Sequence, residues 1–355
     1  MSSTETHRTG VIPSYLLAHL AQSGRFPHAA AAARQTLIAG RPKYHSTLEL
    51  SIDEDGSLVA EVSAAPTRTI CDAQNTETLP GLIVREEDDP PVADAAVNEA
   101  FDGLGATFRL LIEAFERDSL DGAGAPLHAT VHYGEDYDNA FWDGSRMVFG
   151  DGDGEVFRGF TLSVSVIGHE LGHGVIQTAS GLEYQGQSGA LNESVADVLG
   201  VLTEQHLQNQ TADQATWLVG EGIFTDAVQG RALRSMIEPG TAYDDDELGK
   251  DPQPGHMRDY VNTVEDNGGV HINSGIPNRA FALAATTLGG HAWERAGLAW
   301  YRALTSGISP RSTFIEFAEA TLAAAADLGD DVEAAVAAAW REEGVFDDDR
   351  TRSSR

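Results

Sequence analysis

Two histidines four residues apart, with a glutamate directly after the first, restrict this chain more than any other feature. They lie in GHELGHG, residues 168–174. Positions i and i+4 share a face on an α-helix, so LSVSVIGHELGHGVIQTA has to be helical if His169 and His173 act together. Two imidazoles one turn apart can meet one tetrahedral zinc ion at about 2.0–2.1 Å. Glu170 then points off the metal axis yet reaches a water on the ion, which is the position of a general base. The alternative is a surface helix with two solvated histidines. Gly172 and Gly174 interrupt the pattern, each costing about 1 kcal/mol against alanine, and this points to close approach by another segment.

A catalytic zinc needs a third protein ligand and an open position. Downstream, SGALNESVADVLGVLTEQ forms a second helical pattern in which Glu193 can supply a carboxylate. Asp197, one turn later, can accept the other ring N–H of a histidine ligand and so fix its tautomer. The apolar neighbours Leu191, Val195, Val198 and Leu199 mark a mostly buried helix, where unpaired carboxylates are costly. Further on, EDNGGVHINSGIPNRAFALA places His271 after a Gly-Gly turn and before a helix, with Asp266 five residues upstream. Alone, His271 reads as a structural histidine. Beside a zinc site it becomes a cationic donor to a developing oxyanion.

The rest of the chain bounds what such a site can serve. At 355 residues and 41% hydrophobic, it is long enough for two domains and a sizeable core. A net charge of −32 excludes nucleic acid and anionic membranes as partners. No apolar run approaches the roughly 20 residues of a membrane span. The opening MSSTETHRTGVIPSYLLAHLAQSG lacks the layout of a signal peptide. Synthesis in the cytoplasm is therefore expected, with nonclassical secretion as a further route. The single cysteine, Cys71, forms no intrachain disulfide and reads as a small buried hydrophobe rather than a thiolate on the zinc. Lys43 and Lys250 are the only lysines; a high-salt interior and a GC-rich genome both account for that.

Along the chain, SYLLAHLAQ and HAAAAARQTLIAG read as short helices. STLELSIDEDGSLVAEVSA alternates about DEDG like a hairpin. DAAVNEAFDGLGATFRLLIEAF reads as a helix, and LHATVHYG and RMVFGDGDG as strands with Gly/Asp turns. From Thr161 onward the pattern is mostly helical, including GLAWYRALTSG and STFIEFAEATLAAAADLG. The end, FDDDRTRSSR, reads as a polar tail. The fold class is α+β: a β-rich N-terminal half, an α-helical C-terminal half, and the histidine motif between them.

In this order, DNAFWDGSRMVFGDGDG, HELGH, GLEYQGQSGALNESVAD, ALRSM and DNGGVHINSGIPN cover roughly residues 68–345 and resemble the thermolysin family of zinc metallopeptidases. The resemblance implies a two-domain metallopeptidase with its active site between the domains. The expected divisions are a prosegment over residues 1–55, a β-rich domain over 56–180 ending in the zinc helix, an α-helical domain over 181–345, and a tail over 346–355. It implies zinc held by His169, His173 and Glu193, Glu170 as general base, and Asp197 orienting His169. Tyr184 and His271 would stabilise the oxyanion, with Asp266 orienting His271. Arg234 would hydrogen-bond the carbonyl on the leaving-group side, and Asn139 and the backbone of Ala140 would hold an extended peptide. Phe157, Val166 and Leu233 would line the leaving-group-side pocket, which favours bulky hydrophobic residues there. The expected partners are peptide or protein substrates, and the protein is expected to be a monomer.

Two departures from the family accompany these matches. Around the metal helix Glu204 and Glu221 are retained, but Ser165 stands where an aspartate is usual and QNQTADQATWLVGEG lacks most of the expected carboxylates. That calls structural calcium into question. At the N-terminus, VIPSYLLAHLAQ is similar to the short prosegment of the protealysin-like branch, with Ile12, Pro13, Ser14, Tyr15, Leu16 and Leu17 in the motif. Ser14 replaces a second proline. The similarity implies an intramolecular inhibitor lying over the cleft and cut off between residues 45 and 65. A plain amphipathic helix is the alternative.

Overall fold

Residues 10–39 and 65–346 are described by a computed structural model. The hairpin expected before residue 65, the maturation cut expected between 45 and 65, and the tail beyond Phe346 lie outside those residues. The N-terminal stretch forms α1 (Ser14–Leu20) and α2 (Pro27–Ile38). Pro27 opens α2, where its missing N–H costs nothing. Helix α1 buries Leu16, Leu17 and Leu20, and α2 buries Ala29, Ala30, Ala32 and Ala33.

Next come β1 (Arg68–Asp72), β2 (Leu82–Glu86), α3 (Ala95–Phe115), β3 (Leu127–Val131), β4 (Ala140–Trp142) and β5 (Met147–Phe149). Asp94 caps α3 by accepting from the backbone N–H groups of Ala96 and Val97. The five strands form one sheet in the order β2-β1-β3-β5-β4. β1, β3 and β5 run parallel, and the two outer strands run antiparallel to their neighbours. β4 is therefore an edge strand.

The second half contains α4 (Val164–Ala179), α5 (Gly186–Gln208), β6 (Leu218–Val219), β7 (Arg234–Ser235), β8 (Asp244–Asp245) and β9 (Gly249–Lys250). It ends with α6 (Asp266–Asn273), α7 (Gly275–Leu288), α8 (Ala296–Thr305), α9 (Phe314–Ala326) and α10 (Asp330–Glu342). β6 pairs with β7 and β8 with β9. One apolar cluster runs through both halves and takes in Leu16 and Leu17 of α1 as well as Phe101, Val166, Leu191 and Trp300.

Helices α4 and α5 pack almost backbone to backbone. A Cβ on Gly172 would lie 2.9 Å from Ala196 Cα, and one on Gly200 would lie 2.3 Å from Ser165 O. Any side chain at either position would push the helices apart. The close approach expected from the glycines of the metal helix is thus present, and it brings the face of α4 that carries the two histidines against α5.

Candidate metal centre and cleft

His169 and His173 project from α4, and Glu193 from α5. Their ligand atoms all lie within 4.8 Å of one another, and all three residues are buried. The two histidine Nε2 atoms are 3.2 Å apart. Two nitrogens on a tetrahedral zinc at about 2.0–2.1 Å would stand roughly 3.3 Å apart, so the spacing fits one ion. Glu193 Oε2 lies 3.5 Å from His169 Nε2 and is buried without a hydrogen-bond partner. Burial pushes His173 down to about 4, which keeps its imidazole in the neutral, ligating form. Burial works to raise Glu193, but His271, His173 and His169 around it hold its carboxyl below the usual range. The donor set fits zinc on these grounds, and among the described residues no other group of three such side chains comes together.

The outer nitrogens of both imidazoles are also fixed. His169 Nδ1 lies 2.7 Å from Asp197 Oδ1, as the sequence led us to expect, and His173 Nδ1 lies 2.8 Å from Asn192 Oδ1. Asp197 serves a second partner: Arg234 donates to both its oxygens, from Nη2 at 2.7 Å and Nε at 2.9 Å. Asn278 adds a third donor at 2.8 Å. Burial opposes ionisation of Asp197, yet Arg234 and His169 hold it well below the usual carboxylate range. Sequence reasoning missed Asn192 and Asn278. Asn192 had a signal in its position directly before Glu193; Asn278 lies on α7 and had none.

Glu170 points into the cleft from α4. Its Oε2 accepts the backbone N–H of Trp142 at 2.8 Å, while its buried Oε1 has no partner. Burial and the neighbouring Glu193 raise its pKa well above the ordinary glutamate value. Across the cleft, His271 stands in α6 beyond a break where Asn267, Gly268 and Gly269 take φ values of 50°, 86° and 75°. That break lets Asp266 turn back and accept from His271 Nδ1 at 2.6 Å and from its backbone N–H at 2.9 Å. Burial lowers the His271 pKa, but Glu193 and Asp266 outweigh it and bring the imidazole to about 9. Its Nε2 lies 3.2 Å from Tyr184 Oη, which in turn donates to Glu193.

The cleft is occupied by the chain's own N-terminal stretch. Gly10 forms an isolated antiparallel bridge with Phe141 at the free edge of β4, the kind of main-chain pairing an extended peptide makes. The backbone N–H of Val11 donates to Ala140 O at 3.0 Å. The Asn139 side chain accepts from Ile12 N at 2.9 Å and donates to Ile12 O at 3.2 Å. Arg234 Nη1 donates to Val11 O at 3.0 Å, and His271 Nε2 lies 3.2 Å from Gly10 O. Val11 is fully buried in the apolar cluster that also holds Phe157, Val166 and Leu233. Helix α2 adds contacts beside the cleft, where Ala29 N–H donates to Glu155 and Thr36 Oγ1 accepts from Asp138 N–H.

Where the family usually carries an aspartate near the metal helix, Ser165 Oγ accepts from the Gly220 N–H at 3.1 Å. Burial, with Glu221 nearby, raises the Glu204 carboxyl. Cys71 lies buried in β1 and is not part of the metal cluster.

Residues 39–177 match the family described as thermolysin metallopeptidase, catalytic domain, and residues 180–345 the thermolysin metallopeptidase, alpha-helical domain. An extracellular metalloprotease of Pectobacterium carotovorum subsp. carotovorum is 54% identical over 260 residues, covering 73% of this chain and 75% of its own. Protease PrtS of Photorhabdus sp. (strain Az29) is 51% identical over 304 residues, covering 84% and 82%. The precursor of protealysin, a metalloproteinase from Serratia proteamaculans, superposes with a TM-score of 0.87 at 47% identity over 95% of this chain and all of its own.

Proposed function

The chain belongs to the thermolysin metallopeptidase family and is a zinc endopeptidase made as a precursor, and on that premise we propose the following roles for its residues. His169, His173 and Glu193 hold the zinc, with Asp197 and Asn192 orienting the two imidazoles. When bound, zinc polarises the scissile carbonyl and lowers the pKa of water toward about 7. Glu170, anchored by the Trp142 N–H, takes a proton from water on its unpartnered oxygen and passes it to the leaving nitrogen.

His271, held at Nδ1 by Asp266, and Tyr184 donate to the carbonyl oxygen as its charge grows. Each such donor contributes about 3–4 kcal/mol to the transition state. Asn139 and Ala140 align the peptide as an extra strand, and Arg234 takes the carbonyl on the leaving-group side. Phe157, Val166 and Leu233 form an apolar pocket for the residue after the cut, so bulky hydrophobic residues are preferred there. The prosegment, with its boundary near residue 55, covers this cleft until it is removed. The enzyme acts on peptides as a monomer, and its net charge of −32 keeps nucleic acids and anionic membranes away. Among the described residues no helix is long and apolar enough to cross a membrane.

The observation that carries this reading is the way residues 10–12 lie in the cleft, with the Ile12 and Val11 carbonyls on Asn139 and Arg234, assigned to peptide recognition, and the Gly10 carbonyl beside His271, assigned to the oxyanion. The test is Glu170→Ala in the zinc-loaded chain freed of residues 1–50. We expect turnover of a Leu- or Phe-containing peptide to fall about 10²–10⁴-fold with the zinc content unchanged. Activity that survives with zinc bound would remove Glu170 from the role of base.

A further inference from the structure

We propose that the Gly10–Val11 peptide bond is held in the scissile register of the cleft, and that the zinc-loaded precursor cuts itself there. This rests on the roles given above to Glu170, His271 and Arg234. It is a separate event from any cleavage that detaches the prosegment.

Three contacts fix the register. The Gly10 carbonyl lies 3.2 Å from His271 Nε2, the group assigned to the developing oxyanion. The Val11 carbonyl takes Arg234 Nη1 at 3.0 Å, the group assigned to the leaving-group side. Between them, the Val11 N–H donates to Ala140 O and also faces the Glu170 carboxylate, so the nitrogen that would leave lies beside the residue that would protonate it. The following residue, Ile12, is held at both its N–H and its C=O by Asn139. A strand slipped by one residue would lose these pairings together.

Residue identity agrees with this register. A Cβ on residue 10 would come within 2.7 Å of Asn139 Nδ2, so glycine is the residue that lets the strand lie this close on that side of the bond. On the other side, Val11 is fully buried and apolar. In the step itself, water adds hydroxide to the Gly10 carbonyl carbon, the C–N bond to Val11 breaks, and the Val11 nitrogen leaves as an amine carrying the second proton. No other reactant is consumed. Residues 1–10 depart, while Val11, Ile12, α1 and α2 keep their contacts. The product is thus a chain that begins at Val11 and still covers its cleft.

The experiment follows the full-length chain, prepared metal-free and then given zinc, by intact mass and N-terminal sequencing at several protein concentrations. We expect residues 1–10 to be lost at a rate independent of concentration, no loss in Glu170→Gln, and loss slowed about tenfold or more in Gly10→Ala. An N-terminus that stays intact, a cut at another bond, or a rate proportional to concentration would each overturn the proposal. The chain lacking residues 1–50, checked for one bound zinc, is assayed alongside on a Leu-containing peptide. If it cleaves that peptide while the precursor keeps its N-terminus, only the self-cut fails; if it cleaves nothing, the roles proposed above fail as well. Hydrogen exchange on the metal-free precursor reads the register without turnover. The Val11 and Ile12 amides should be protected and lose protection in Gly10→Ala; rapid exchange in the unmodified precursor would refute the strand placement.

Discussion

The metal ligands and the peptide-gripping rim face the same cleft but are built in opposite ways. The ligands stand on two consecutive helices, α4 and α5, whose contact is set by glycines, and the outer nitrogens of His169 and His173 are pinned by Asp197 and Asn192. The rim is gathered from β4, β7 and α6, and its hydrogen bonds to residues 10–12 join positions 127, 223 and 261 residues apart. The first region is held by packing within the fold. The second holds the main chain of residues 10–12, and on the roles proposed above an extended substrate peptide takes the same contacts once the prosegment is gone. A metal site needs rigidity, whereas a substrate site must be able to let go.

Asp197 puts that contrast at greatest risk, because it touches both regions. Replacing it by asparagine leaves Arg234 as a buried charge without its partner, and we expect a loss of about 3–5 kcal/mol in denaturant unfolding. Zinc affinity should fall about 10–100-fold in a chelator competition. If stability drops and zinc affinity does not, the carboxylate belongs to the rim alone. Asn139→Ala should separate the regions cleanly. In the chain without its prosegment, KM for an extended peptide should rise about tenfold through two lost hydrogen bonds, with zinc affinity unchanged; a matching loss of zinc would mean that the rim and the ligands move together.

His132 gives the smallest effect and belongs to neither region. It bridges Asp151, just after β5, and Asp94 at the start of α3, with contacts of 2.8 and 2.9 Å. Asp151, against the opposing effect of burial and with help from Asp94, raises it from 6.5 to about 9. A histidine raised in the folded state stabilises fully below about pH 6.5, and this stabilisation is lost as pH rises through about 9. With both aspartates partly exposed, we expect about 1 kcal/mol. The melting temperature of His132→Gln should lie below that of the unaltered chain at pH 6 and approach it near pH 10. An equal gap at both pH values would show that charge plays no part.

What the sequence disclosed follows the same division. The ligand triad was legible because helical periodicity is a local property: His169 and His173 declare their shared face by spacing alone, and Glu193 lies in the next helical pattern. The fold class and the pair of short N-terminal helices were legible for the same reason. The strand order β2-β1-β3-β5-β4 was not, since pairing between distant strands leaves no mark within either strand. The Trp142 N–H that anchors Glu170 had no signal, because every residue but proline carries that group. The spacing of His271 alone described an ordinary structural histidine, and its reading as an oxyanion donor needed the zinc motif elsewhere in the chain. The direction and register of residues 10–12 in the cleft were hidden as well, because main-chain contacts do not depend on which side chains the strand carries.

The bridge that Gly10 makes to Phe141 on β4 has one more consequence. An exposed strand edge is a template for any extended chain, including unfolded copies of the same protein, and proteins usually blunt such edges to avoid aggregation. On the mode of substrate binding proposed above, this edge has to stay open once the enzyme is active. While the prosegment is in place, that edge is paired from within, so the stretch that blocks the chemistry also caps a sticky surface during folding, when protein concentration is high and misfolded neighbours are close at hand.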